Sequence, residues 1–285
     1  MTQSESQLPD WQNPALLHRN RLSPHTTFTA YPSFESALGN NVGASPSHAR
    51  LSGTWSFFYA QSPAGTPQDF ELPHFDDSAW DKVSVPHNWQ MDGYGKRNYC
   101  NVIYPYPIDP PFVPTENPVG LYRRSFNVDE SWLGKRIVLQ FGGVNSAFYV
   151  WINGELAGYS QGSHMPSEFD ISGMVHHGEN SMAVQVFQWC DGSYLEDQDM
   201  WRLSGIFREV TISVTPLLRV EDVIVSTKLD GDYKRAELDV LVKVANSSSS
   251  AASALDSLDC APSSSAARAR KDSISPSSKP VSARS

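Results

Sequence analysis

The sequence predicts an all-β protein, and three observations carry that prediction. From residue 51 to about 216, short alternating or two-sided apolar runs are broken repeatedly by Gly, Pro, Asn and Asp. An apolar run ends on the dipeptide Asn153-Gly154, which tolerates the positive φ angles of a tight hairpin turn. Almost no ten-residue stretch repeats with helical period. Many short strands without long helices specify a two-sheet β-sandwich of jelly-roll type over residues 51–216, long enough to bury a core.

Residues 1–50 read as an extended arm lying on something else, with a polar start, Trp11, Arg19 and Arg21, and little regular alternation. Within the sandwich, residues 136–141 place Ile137, Leu139 and Phe141 on one face. Residues 148–152 are apolar on both faces and feed the Asn153-Gly154 hairpin. Residues 181–189 alternate Met182, Val184 and Val186 against Ala183, Gln185 and Phe187, the pattern of a central strand covered on both sides. Residues 207–214 repeat it with Val210, Ile212 and Val214. Helix is limited to one or two turns, with residues 170–174 an expected place.

Residues 217–246 hold two further strands, 220–227 and 236–244, joined through Asp230-Gly231-Asp232. They read as the first strands of an immunoglobulin-like β-sandwich, which needs about seven. This second sandwich is expected to be incomplete, with unpaired edges that favour aggregation. From residue 247 to 285 the composition falls to Ser, Ala, Pro and basic residues, too few large apolar side chains to offset the entropy of ordering, so a disordered tail is expected.

A net charge of −9 argues against nucleic acid, whose phosphates call for a basic surface. No stretch has the run of about 18 apolar residues that a membrane span needs, nor does the start resemble a secretory leader, so a cytoplasmic location is expected. Cys100, Cys190 and Cys260 are odd in number and widely spaced, which suits reduced thiols.

The chemistry concentrates in residues 188–210, where Asp191, Glu196, Asp197 and Asp199 crowd among aromatics with Arg202 and Arg208. Such carboxylates raise one another's pKa unless arginine, a cation or hydrogen-bond donors compensate. They make either a solvated acidic loop tied by salt bridges or an oxygen-only site for a hard cation or a sugar. Residues 98–114 carry many prolines among Tyr and Asn, which excludes helix and central strand. That leaves a rigid loop, either stapled over the sandwich by its aromatics or offering rings and amides to a sugar. Trp55, Trp80, Trp89 and Trp151 read as core anchors. No catalytic residue is assigned: acids adjacent on one loop do not embrace a glycoside from two sides, and His74, His87, His164, His176 and His177 lack a catalytic or metal spacing.

The run from Trp189 to Val210, with Tyr194-Leu195-Glu196-Asp197-Gln198-Asp199-Met200-Trp201 and Ser204-Gly205-Ile206-Phe207-Arg208, resembles bacterial-type β-galactosidases of glycoside hydrolase family 2. Asp10-Trp11-Gln12-Asn13-Pro14, Pro86-His87-Asn88-Trp89, Pro110-Pro111-Phe112-Val113-Pro114 and Pro166-Ser167-Glu168-Phe169-Asp170 match in the same order, so the resemblance covers about residues 9 to 245. It implies a galactose-binding-like jelly roll, then an immunoglobulin-like domain, then a barrel holding both catalytic glutamates and the catalytic magnesium. A barrel takes roughly 250 residues, so the resemblance implies that this chain corresponds to the amino-terminal part without those glutamates and is inactive alone.

The resemblance further implies that Asp199 touches galactose hydroxyls and ligates Na⁺, and that Asn101 lines the same pocket. It implies a peripheral Mg²⁺ held by Asp10, Asn13, Gln161 and Asp191, with the carbonyl of Leu16. Its partners would be a β-galactoside in the full-length family, and further copies or a complementing fragment, since the arm joins subunits there. Two other readings compete: a stand-alone carbohydrate-binding module, and a structural subunit that complements an incomplete partner.

Overall fold

Alternation along the strand Val119–Val128 decides the architecture. Tyr122, Phe126 and Val128 enter the main core, whereas Val119 and Leu121 join a second cluster on the opposite face. A strand buried on both faces belongs in the middle of a sheet. The computed structural model, which describes residues 8–101, 103–196 and 198–248, places it there. A seven-stranded antiparallel sheet runs in the order His18–Arg19, Glu155–Gln161, Ala147–Ile152, Gly178–Phe187, Val119–Val128, Gly53–Ala60, Asp81–Val85. A four-stranded sheet runs Ser167–Asp170, Arg136–Phe141, Val210–Thr215, His48–Arg50.

The core lies between these sheets, drawing Trp55, Tyr122 and Val184 from one and Ile137, Leu139 and Ile212 from the other. Fully burying an aliphatic side chain of this kind contributes about 1.5–3 kcal/mol, so this layer is a large favourable contribution. The sandwich expected from the sequence is present, with Trp55 and Trp89 fully buried as anchors. Trp80 and Trp151 are half-buried and close the second cluster on the outer face of the larger sheet. Gly120 has a steric reason to be glycine: a Cβ there would meet the Trp89 ring at 2.6 Å.

Asn153 and Gly154 form the expected hairpin turn, with φ of 52° and 85°. The Asn153 side chain does more than turn the chain, since its Oδ1 accepts from the Ser181 amide at 2.9 Å and its Nδ2 donates to the Met174 carbonyl at 2.9 Å.

The arm is more structured than its weak periodicity suggests. His18 and Arg19 pair with Ser160 and Tyr159, covering the edge of the larger sheet. Trp11 stacks on Phe187 with ring centroids 4.3 Å apart. Helix forms at Phe34–Leu38 rather than at residues 170–174. At the first site Ser33 and Ser36 cap each other's backbone amides, which starts a helix. At the second, Asp170 Oδ1 accepts from the Ser172 amide at 3.0 Å, and Ser172 Oγ accepts from the Ile137 amide, so side chains hold a turn instead.

The described residues divide into two compact units, one of residues 8–22 with 31–214, the other of 23–30 with 215–248. In the second, a long hairpin pairs Leu218–Leu229 with Ala236–Asn246 around a turn containing Asp230. The extended segment carrying Thr26 joins it, the Thr26 amide donating to Asp222 Oδ1 at 3.0 Å and its hydroxyl to the Val223 carbonyl at 2.8 Å. Ile224, Val225, Leu238 and Leu241 are exposed on this hairpin. The expected tail beyond residue 248 and Cys260 lie outside the described residues; Cys100 and Cys190 are free thiols.

Candidate functional site

Asn101 and Asp199 are nearly a hundred positions apart, and strand pairing brings them together. Asn98–Cys100 and Met200–Arg202 form a two-stranded ribbon in which Met200 faces Cys100 and Trp201 faces Tyr99. Asp199 and Asn101 are the next residues beyond the Met200–Cys100 pair, so they flank the same end of the ribbon, and both are exposed. The Tyr99 hydroxyl donates to Asp199 Oδ1, a bond that is the main reason the Tyr99 pKa is raised. The Tyr99 and Trp201 rings lie 5.7 Å apart and are 54% and 56% exposed. A carboxylate, an amide and two open ring faces are groups that read sugar hydroxyls and stack on sugar faces.

Buried contacts hold this ribbon in place. The Arg202 guanidinium, 7% exposed, donates to the carbonyls of Glu196 at 2.7 Å and Gln198 at 3.1 Å. The Glu196 carboxylate accepts from both the amide and the hydroxyl of Ser163 at 2.6 Å. Arg208, expected to compensate the acidic run, instead donates to the carbonyls of Gly142 and His164. The run is therefore ordered partly through backbone carbonyls and Ser163, and Asp197 lies outside the described residues.

The proline-rich loop is stapled by aromatics. The Tyr194 hydroxyl donates to the Phe112 carbonyl at 2.6 Å and accepts from the Asp109 amide at 3.2 Å, while the Tyr104 hydroxyl donates to the Tyr194 carbonyl at 2.5 Å. Beneath this loop, Tyr104, Trp189 and Arg202 line a crevice of about 20 Å³, which has room for a water but not a sugar ring. Room for a sugar is thus found beside the open ribbon and not under the loop.

The five residues of the expected peripheral cation site come from three segments. The turns Asp10–Gln12 and Asp191–Tyr194 touch. Gln161 Nε2 donates to Asp191 Oδ1 at 2.9 Å, and the Tyr159 hydroxyl donates to Gln161 Oε1 at 2.8 Å. Asp191 Oδ2 is buried and makes no hydrogen bond among the described residues. Burial raises the Asp191 pKa, so the interior penalises its charge. Among the described residues, no three His, Cys, Asp or Glu side chains converge on one point. A cation here would rest largely on amide and carbonyl oxygens, a donor set that fits a hard ion with the orphaned Oδ2 as its anchor.

Asp10 is the weak member of that set. Arg19 takes both its oxygens, Nε to Oδ2 at 2.5 Å and Nη2 to Oδ1 at 2.7 Å. That pairing is the largest cause holding the Asp10 pKa below its usual value. Asp10 joins a cation only by sharing its oxygens with Arg19. Asn13 Oδ1 accepts from the Ala15 amide at 3.2 Å, and the Leu16 amide donates to the Asn13 carbonyl at 2.9 Å, which closes the turn.

Sequence reasoning missed Tyr99, Arg19 and Ser163 as members of these sites. Only Arg19 carried a signal, a cation nine positions from Asp10 within an arm expected to dock.

Together these features define a β-sandwich module that presents an aromatic and carboxylate ribbon to solvent. Residues 48–216 match the family model described as glycosyl hydrolases family 2, sugar binding domain. The chain belongs to that family, as the portion corresponding to the amino-terminal domain. It is 45% identical over 238 residues to a β-galactosidase of Alteromonas mediterranea, covering 82% of this chain and 23% of the relative. It is 47% identical over 236 residues to a β-galactosidase of Erwinia tasmaniensis, covering 81% and 22%. The chain thus spans about a quarter of the length of the curated relatives it matches. A β-glucuronidase of Bacteroides uniformis shares the fold, with a TM-score of 0.56 at 21% identity over 70% of this chain and 22% of that one.

Proposed function

We propose that this chain is the sugar-binding domain of a β-galactosidase, contributing Asp199 and Asn101 to recognition of a terminal β-galactosyl unit. The observation that supports the reading is the ribbon, whose Met200–Cys100 pair has the exposed Asp199 and Asn101 flanking the same end. The relatives named β-galactosidase supply the substrate class. Asp199 accepts from galactose hydroxyls and offers an oxygen to Na⁺, while Tyr99 fixes the carboxylate's orientation through its own hydrogen bond.

In this reading hydrolysis is not performed by these 285 residues. The described residues form one sandwich and a long hairpin, and retaining hydrolysis needs two carboxyl groups about 5 to 5.5 Å apart across the sugar. Mg²⁺ at Asp191, Gln161, Asn13, the Leu16 carbonyl and Asp10 would neutralise a buried carboxylate and tie the arm to the sandwich. A complementing role follows from the same surface, since the ribbon is open to a partner.

The purified chain should leave a chromogenic β-galactoside untouched. Added to a family β-galactosidase deprived of its own first domain, it should restore turnover, and Asp199→Ala should abolish the restoration. Turnover by the chain alone, or restoration indifferent to Asp199→Ala, would overturn the proposal.

A further inference from the structure

The outer face of the seven-stranded sheet is covered unevenly. Phe58, Phe70, Trp80 and Trp151 close one part of it. Over the remainder, small hydroxyls and one guanidinium take the outward positions. Ser56 pairs across the strands with Arg123, and Ser125 with Ser181. By the two-residue alternation all four lie on the same side as Leu121. Above them is a cleft of about 390 Å³, within the roughly 300–1,000 Å³ typical of ligand clefts. Residues 73–77, with Phe75, form one wall, and the Asn153 turn with residues 176–180 forms the other.

Two features of the floor point to a ligand. Arg123, 6% exposed, uses Nη1 on the carbonyls of Phe70 and Leu72. Its Nε is buried without a hydrogen bond and lies 3.6 Å from Asp77 Oδ2. That spacing is too long for a direct hydrogen bond, so the two are paired by charge alone. Ser181 Oγ is likewise buried without a partner among the described residues. Buried polar groups are ordinarily satisfied, so an orphaned donor beside a half-paired carboxylate asks for a group that both accepts and donates. A hydroxyl does both.

Charge selects among hydroxylated ligands. Arg123 is faced by Asp77 and Glu179 in the same lining, while the Arg124 side chain points to the opposite face of the sheet and spends Nη1 on the carbonyls of Leu51 and Ser52. An anion gains little from such a site. The Phe75 ring adds an apolar surface beside the hydroxyl floor, the combination that a sugar ring with one apolar face complements. We infer that this cleft is a second saccharide site, taking a neutral hexose unit and sharing no residue with the Asn101–Asp199 ribbon. It does not depend on the proposed galactosidase role, because its lining owes nothing to Asp199.

The test is a titration of the full chain, followed by amide NMR shifts, with methyl β-D-galactoside, methyl β-D-glucoside and maltose as neutral probes and inorganic phosphate as the anionic one. At least one neutral probe should move the Ser125 and Ser181 amides with millimolar affinity. Ser125→Trp, at an exposed floor position, should weaken that binding at least tenfold, whereas Asp199→Ala should leave it unchanged. If Ser125→Trp does not fold, Asp77→Ala carries the test with the same expected loss. No shift from any neutral probe at about 50 mM, a range in which millimolar binding saturates, would overturn the inference. So would a response to phosphate alone, full affinity in the floor variants, or loss in Asp199→Ala.

Discussion

Replacing Arg19 by Met tests whether the arm is latched by a charge. The change keeps the aliphatic stem and removes two charge-assisted hydrogen bonds, of 2.5 and 2.7 Å, from a carboxylate whose side chain is 9% exposed. Such bonds are worth about 1.5–3 kcal/mol each before screening. The guanidinium is 40% exposed, so water screens it and the pair belongs at the low end, giving a net loss of about 2 kcal/mol. The sign of the pH dependence follows from Asp10. Its folded pKa is lowered, with the Arg19 bond as the largest cause. The stabilisation is therefore full above the ordinary Asp pKa and is lost as pH falls through the folded value. Urea unfolding of both proteins should show the full gap near neutrality and a closing gap once the pH falls below about 4. Hydrogen exchange at Tyr159 and Ser160, which pair with Arg19 and His18, should quicken in the variant. An undiminished gap in acid, or no gap at neutrality, would refute the latch.

Three further outcomes are expected. Mg²⁺ at about a hundred times its Kd should stabilise the chain by about 2.7 kcal/mol, and Asp191→Asn should remove that response; an equal melting shift in the variant would put the ion elsewhere. Gly158→Ala should cost about 1–3 kcal/mol or more, because the new methyl meets the Phe169 ring and sits 2.5 Å from the Arg19 carbonyl; unchanged denaturation would mean the arm strand is not seated as described. Val225→Lys, at a position 57% exposed on the long hairpin, should slow concentration-dependent light scattering, and no change would show that face to be covered already.

The parts of the fold legible in the sequence are those fixed by neighbours along the chain. Asn153-Gly154 announced its turn through backbone preference alone, and the alternation at residues 181–187 announced burial on both faces. The helix at Phe34–Leu38 was equally local, written in Ser33 and Ser36, but too short for a periodic pattern to expose it. The juxtaposition of Asn101 and Asp199 is different in kind. It depends on a register between segments a hundred residues apart, which no local pattern encodes, and it was anticipated only through resemblance. Resemblance also gave Asp10 to a cation without foreseeing that Arg19 occupies both its oxygens, a competition settled by geometry and not by residue type.

The ribbon carrying Asp199 belongs to neither sheet of the sandwich. Its outward side chains contribute nothing to the main core, so in the proposed role folding and recognition draw on separate sets of residues. Under that proposal, a library selected for solubility or thermal tolerance would apply little pressure at these exposed positions, and well-behaved expression would say nothing about whether recognition survives. The same separation is an opportunity, since specificity proposed for this ribbon could be rewritten without repacking a core side chain.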